Sequence, residues 1–237
     1  MPIEAMLWSL LAGAAIPFGG WLAMYEHVRP QWLETEIRHA IIAFAGGALI
    51  SAVTLVLVPQ GTERLPPALA VAAFVAGGAG FALLDRWIDT HLGRKGQLVA
   101  LLSDYIPEAV ALGALFASGE RMRGILTAAI LTLQNLPEAF NAWREMVSSG
   151  QTQARQAMAI FAAFALLGPV AALVGQVWLA EREALLGAIL LFAAGGIFYL
   201  VFEDIAPGVR LDRAWAPPLG AVAGYGLGLT GHLLLPA

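Results

Sequence analysis

The chain contains no cysteine, which excludes disulfides, thiolate metal sites and cysteine nucleophiles. Any side-chain metal ligands must be oxygen or imidazole. Charge is scarce as well. Asp, Glu, Lys and Arg make up 13% of the 237 residues, against about 25% in an ordinary soluble domain. The 13 Lys and Arg residues are spread thinly and the net charge is −4, so no basic block of the kind that holds nucleic acid is present. Hydrophobic residues, by contrast, reach 59% and the mean hydropathy is +0.74. These values predict an all-α integral membrane protein with a single transmembrane domain over residues 1–237, in contact with the lipid bilayer. Met1 to Met6 carries Glu4 and no basic residue ahead of its apolar run, so no cleaved signal peptide is expected and the first span should persist.

Apolar runs of about 20 residues are long enough to cross a bilayer. Read with their bounding charges, prolines and glycines, they predict eight transmembrane helices over 5–25, 37–59, 66–89, 97–118, 122–147, 154–180, 183–206 and 215–235. Phe161 to Gly175 and Leu185 to Val201 are solidly apolar rather than alternating, which argues against a barrel. One set of loops holds Arg29, Arg38, Arg86, Arg94, Lys95, Arg144, Arg155, Arg210 and Arg213; the other holds Arg64, Arg121, Arg123 and Arg182. Basic loops face the cytoplasm, so both termini should be non-cytoplasmic. Trp8, Trp87, Trp143, Trp178 and Trp215 fall near helix ends, where indole rings favour the headgroup region. Compact loops suit a bacterial inner membrane, and a homodimer is an allowed assembly.

Three carboxylates break the apolar pattern: Asp104, Glu108 and Glu138 fall well inside the fourth and fifth spans. Each ionised carboxylate near a bilayer centre costs about 2.5–3.5 kcal/mol, or on the order of 8–10 for three, if left unpaired. His27, His39, His91 and His232 all lie near span ends, so the available partners are protons or a bound cation. The surrounding sequences are Asp104-Tyr105-Ile106-Pro107-Glu108-Ala109 and Gln134-Asn135-Leu136-Pro137-Glu138-Ala139. A separation of four residues places Asp104 with Glu108, and Gln134 with Glu138, on one face of each helix. Helices joined by the short turn near Ser118 to Arg123 run antiparallel, so four oxygen ligands can converge at one depth. Pro107 and Pro137 each remove a donor from the carbonyl four residues earlier, and broken helices with freed carbonyls recur as cation sites in transporters.

The paired motifs resemble those of the ZIP family (Zrt/Irt-like proteins), divalent metal transporters of eight helices whose fourth and fifth spans carry His-Asn-x-Pro-Glu-Gly or close variants. Ala45-Gly46-Gly47 with Val58-Pro59, Gly78 to Asp85 followed by Arg86, and Glu203-Asp204-Ile205-Ala206-Pro207 resemble its second, third and seventh spans. The resemblance implies a ZIP-like bundle with a metal site between the fourth and fifth helices, made of Asp104, Glu108, Gln134 and Glu138. It also implies that Tyr105, Asn135 and Gly168 occupy positions that often hold a second metal. Tyrosine and glycine are poor ligands, so one metal is expected rather than two. An all-oxygen site suits harder cations than a histidine site does, so zinc, manganese, iron(II), cobalt and cadmium are candidate substrates, without an organic cofactor.

Lesser signals mark a pathway. Glu203 and Asp204 lie near the expected cytoplasmic end of the seventh span, as do Asp85 and Asp89 in the third, where both lie beside Arg86 and suggest an ion pair. Gln60 and Glu63 lie on the opposite side, at the expected entrance. The small-residue stretches Ala43 to Ala52 and Ala70 to Ala82 offer smooth surfaces on which helices can meet. An enzyme is not expected: Asp104 is the one mid-span aspartate and no Ser-His pairing occurs at depth. A proton- or sodium-coupled transporter of another solute, or a membrane metal sensor that transports nothing, are the alternatives from other classes.

Overall fold

The computed structural model describes residues 2–25, 31–91, 96–119, 121–148, 152–179, 181–209 and 215–234. Apart from short turns these are helical, and no strand occurs among them. In chain order the helices are α1 (Pro2–Met24), α2 (Gln31–Ala52, continued by a π-helical turn Val53–Leu57 and by Val58–Arg64), α3 (Pro67–His91) and α4 (Gly96–Ala117). They are followed by α5 (Arg121–Ser148), α6 (Ala154–Val174, continued by a π-helical turn Gly175–Leu179), α7 (Glu183–Leu200, continued by a π-helical turn Val201–Ile205 and by Ala206–Gly208) and α8 (Ala216–Leu234). Among the described residues, five helical stretches are long and apolar enough to cross a membrane: Ile3–Met24, His39–Arg64, Pro67–Trp87, Ala154–Leu179 and Glu183–Gly208. The apolar stretch of α4, Tyr105–Ala117, is shorter, and α5 is diluted by Arg121, Arg123, Gln134, Asn135, Glu138 and Arg144.

Two prolines expected to stop helices do not. The second helix extends to Arg64, past Pro59, and the seventh to Gly208, past Pro207. In each, a π-helical turn comes just before the proline and its ring is accommodated without a break. The Val58 N–H reaches back to the Val53 carbonyl, and the Ala206 N–H to that of Val201. Such five-residue spacing places the carbonyl that the proline cannot serve inside the widened turn. The second helix also starts earlier than expected, at Gln31, in a polar stretch that hydropathy alone does not register. The expected breaks at Pro107 and Pro137 are absent: α4 and α5 stay helical through both.

α4 is the central helix. Apart from half-buried Val110, residues 108–116 are all buried, because α1, α5, α6 and α7 pack around it. α3 is peripheral and pairs with α7, leaving Leu69, Val71, Val75, Leu83 and Trp87 exposed, as befits side chains that meet lipid. Trp143 departs from its expected place at the headgroups. It is buried edge-on against Phe161, with ring centroids 5.8 Å apart.

Three helix pairs share one contact geometry, in which a glycine of each helix presses on the carbonyl three residues before the glycine of the other. In α3 and α7, Gly77 meets the Phe192 carbonyl and Gly195 that of Phe74; in α2 and α8, Gly47 meets Ala221 and Gly224 meets Phe44. In α4 and α6, Gly113 meets Ala172 and Gly175 meets Val110. A Cβ at any of these six glycines would sit closer to a backbone oxygen than real contacts allow. Close backbone approach of this kind yields dispersion and weak Cα–H to oxygen bonds, the main attraction left between helices in lipid. Gly195→Ala must therefore force α7 off α3, with an expected loss of about 1–3 kcal/mol. Gly226 has nothing within 4 Å of an added Cβ, so Gly226→Ala should melt no lower than the parent in detergent. Thermal melts of the two purified variants check this.

Candidate functional site

The α4–α5 turn places the two Pro-Glu motifs side by side. Gly119 takes φ 84, a left-handed conformation that costs glycine little, and the Arg121 N–H bonds to its carbonyl. The chain reverses there within a few residues, which makes α4 and α5 neighbours. Glu108 of α4 is 3% exposed and Gln134 of α5 is 0% exposed. The Gln134 Nε2 donates to Glu108 Oε2 at 2.8 Å. The first polar residue of one motif thus holds the glutamate of the other across the helix interface.

The Gln134 amide oxygen Oε1 is buried without a partner. It sits on the same side chain that steadies a carboxylate, so the pair presents an unserved acceptor beside a negative oxygen. Buried acceptors left open in this way call for a water or an ion. Glu138, one turn beyond Gln134, is half-buried. The side chain of Asp104 lies outside the described residues, as do those of Asp89 and Asp204. Among the described residues no three His, Asp or Glu side chains form a cluster able to hold a metal.

A cavity of about 10 Å³ opens beside Glu108, lined by Ala52, Val56 and Leu57 of α2 and by Thr127, Ile130 and Leu131 of α5. About 10–15 Å³ is the least that admits one water molecule. Thr127 is a site residue that the motifs do not point to. Its signal is spacing: it precedes Gln134 by seven residues, two helical turns, and so lies on the same stripe. Its hydroxyl donates to the Arg123 carbonyl at 2.9 Å.

The residues expected along a pathway scatter. Gln60 is 2% exposed and both atoms of its amide lack partners. Glu63 is exposed and stands 3.9 Å from Arg123. Asp85 accepts a 3.0 Å hydrogen bond from the Tyr199 hydroxyl, tying α3 to α7, while the Asp89 half of the expected pairing with Arg86 lies outside the described residues. Glu203 is exposed in the π-helical turn of α7.

Tyr105, Asn135 and Gly168 do come into an ordered arrangement. The Tyr105 hydroxyl fills the notch at Gly168, where an added Cβ would collide with it, and donates to the Ser9 carbonyl of α1 at 3.0 Å. The Asn135 Nδ2 donates to the Ala12 carbonyl, also on α1, at 3.1 Å. Neither α1 acceptor was legible in the sequence, since any backbone carbonyl can play this part.

Neither a protein-family model nor a curated protein matches this chain. The paired motifs and their buried contact are what a functional reading stands on. Because the chain has no cysteine, one placed at Thr127 would be the sole thiol. With about one water's worth of space there, Thr127→Cys should react far more slowly with a hydrophilic maleimide than Thr62→Cys at an exposed position. Equal labelling rates would show that the cavity is open.

Proposed function

We propose that this protein carries divalent transition-metal cations across a membrane by alternating access, as a divergent relative of the ZIP transporters. The observation that carries this reading is the 2.8 Å bond between Gln134 and Glu108, which joins the two motifs in the interior of an all-helical, membrane-like chain. The cargo site is Asp104, Glu108, Gln134 and Glu138, an all-oxygen set suited to zinc, manganese, iron(II), cobalt or cadmium. The open oxygen of Gln134 supports a cation there, since it has lone pairs to give and no donor to receive.

All eight helices span the bilayer in this reading, with both termini on the non-cytoplasmic side of a bacterial inner membrane. One cation binds at a time: the Tyr105 hydroxyl and Gly168 fill each other's space where a second would need ligands. Gln60, buried with an unserved amide, and Glu63 beyond it belong to the entrance; Glu203, Asp204, Asp85 and Asp89 belong to the cytoplasmic exit. Carboxylate ligands must be ionised to bind metal, so protons and metal compete for them.

Reconstituted protein with a metal-sensitive dye inside the vesicles tests this directly. Manganese and zinc should both enter, each competing with the other, while Glu108→Ala and Glu138→Ala should abolish entry. Apparent affinity should fall as the pH drops from about 7 to about 5, because protons occupy the ligands. Binding without flux would instead mark a sensor. Flux of another solute that persists in Glu138→Ala would remove the metal reading, and so would an affinity that ignores pH.

A further inference from the structure

The two hydrogen bonds to α1 share a pattern that the cargo site does not explain. Tyr105 directly follows Asp104 and precedes Glu108 by three residues; Asn135 directly follows Gln134 and precedes Glu138 by three. Each therefore occupies the same place in its motif, on the flank of the helix adjacent to the ligand face. Tyr105 is 0% exposed and Asn135 1% exposed. Their acceptors, the Ser9 and Ala12 carbonyls, lie three residues apart on α1, about 4.5 Å along its axis at 1.5 Å per residue.

The backbone of α1 is shaped to receive them. An added Cβ at Gly13 would collide with the Tyr105 hydroxyl, and one at Gly19 with the Leu136 carbonyl of α5. Gly168 leaves the remaining space for the phenol on the α6 side. Packing alone would be met by an apolar ring of the same outline. A buried hydroxyl and a buried amide are costly unless bonded, and each spends its donor on the same helix.

We propose that Tyr105 and Asn135 are positioning residues that hang the two ligand-bearing helices from neighbouring carbonyls of α1, setting the depth and rotation at which Glu108 and Gln134 meet. Hydrogen bonds do here what a second, bridging cation would do by pulling both helices inward. α1 thus acts as a common ruler for α4 and α5 and contributes no ligand of its own. This inference rests on the cation-transport reading of the same site.

Tyr105→Phe keeps the ring and removes only the hydroxyl; Asn135→Ala removes the second anchor independently. Both are compared with wild type in two assays: manganese binding to the purified full-length protein by calorimetry, and manganese uptake into liposomes. Loss of groups that orient metal ligands raises Kd by about 10–100-fold, so a rise of that size is expected in each variant, with KM following Kd and Vmax per folded transporter retained. Unchanged Kd in both variants overturns the proposal. So does a fall in Vmax at constant KM, the pattern of packing damage alone. Should Tyr105→Phe not fold, Asn135→Ala carries the decision by the same criteria. Wild-type protein that neither binds nor moves manganese would overturn the transport reading and this inference together, whereas active wild type with indifferent variants sinks the inference alone.

Discussion

A buried carboxylate must find its hydrogen bonds within the protein, and much of this molecule follows from how Glu108, 3% exposed, is served. The first supplier is an amide from the facing helix, Gln134, whose nitrogen points at Glu108 while its oxygen is left open. That contact fixes the distance between α4 and α5, and both helices must be neighbours at matched height for it to exist. The tight reversal at Gly119 makes them neighbours, and both Glu108 and Gln134 are buried between the helices.

The surrounding helices meet through contacts of two kinds. The reciprocal glycine contacts of α2 with α8, α3 with α7 and α4 with α6 bring backbones together with little slack. α5 is joined to α1 differently. Gly19 meets the Leu136 carbonyl, but the residue three beyond Leu136 is Ala139, so the contact is one-sided. What adds precision there is polar, through Asn135. At its outer end α5 is held by exposed ion pairs, Arg121 with Glu4 and Arg123 with Glu63, each worth about 0–1 kcal/mol. The helix carrying Gln134 and Glu138 is thus seated on α1 by a one-sided glycine contact, a polar anchor and a shared apolar core that includes Ile16, Ala139 and Trp143.

Much of this arrangement was legible from residue order. Helix existence followed from apolar runs, and the Pro-Glu motifs marked the helices that would touch through polar groups. The stretches Ala43 to Ala52 and Ala70 to Ala82 contain Gly47 and Gly77, which do form close contacts. Helix ends at Pro59 and Pro207 were misplaced, because a widened turn absorbs a proline and leaves no trace in hydropathy. Trp143 was misassigned to the headgroups, because distance from a helix end does not tell which way a ring faces. The α1 carbonyls that anchor Tyr105 and Asn135 were invisible for a deeper reason: acceptors on the main chain carry no residue identity.

The pairing of α2 with α8 and of α3 with α7 also bears on how the molecule is made. During synthesis α2 leaves the ribosome with its glycine groove at Gly47 exposed, and the surface that fills it, around Ala221 and Gly224, emerges only after five intervening helices. α2 must wait, unmated on this side, until α8 has been made. A truncated chain lacking α8 would therefore leave α2 with a vacant seam, a natural mark by which membrane quality control could tell an unfinished copy from a finished one.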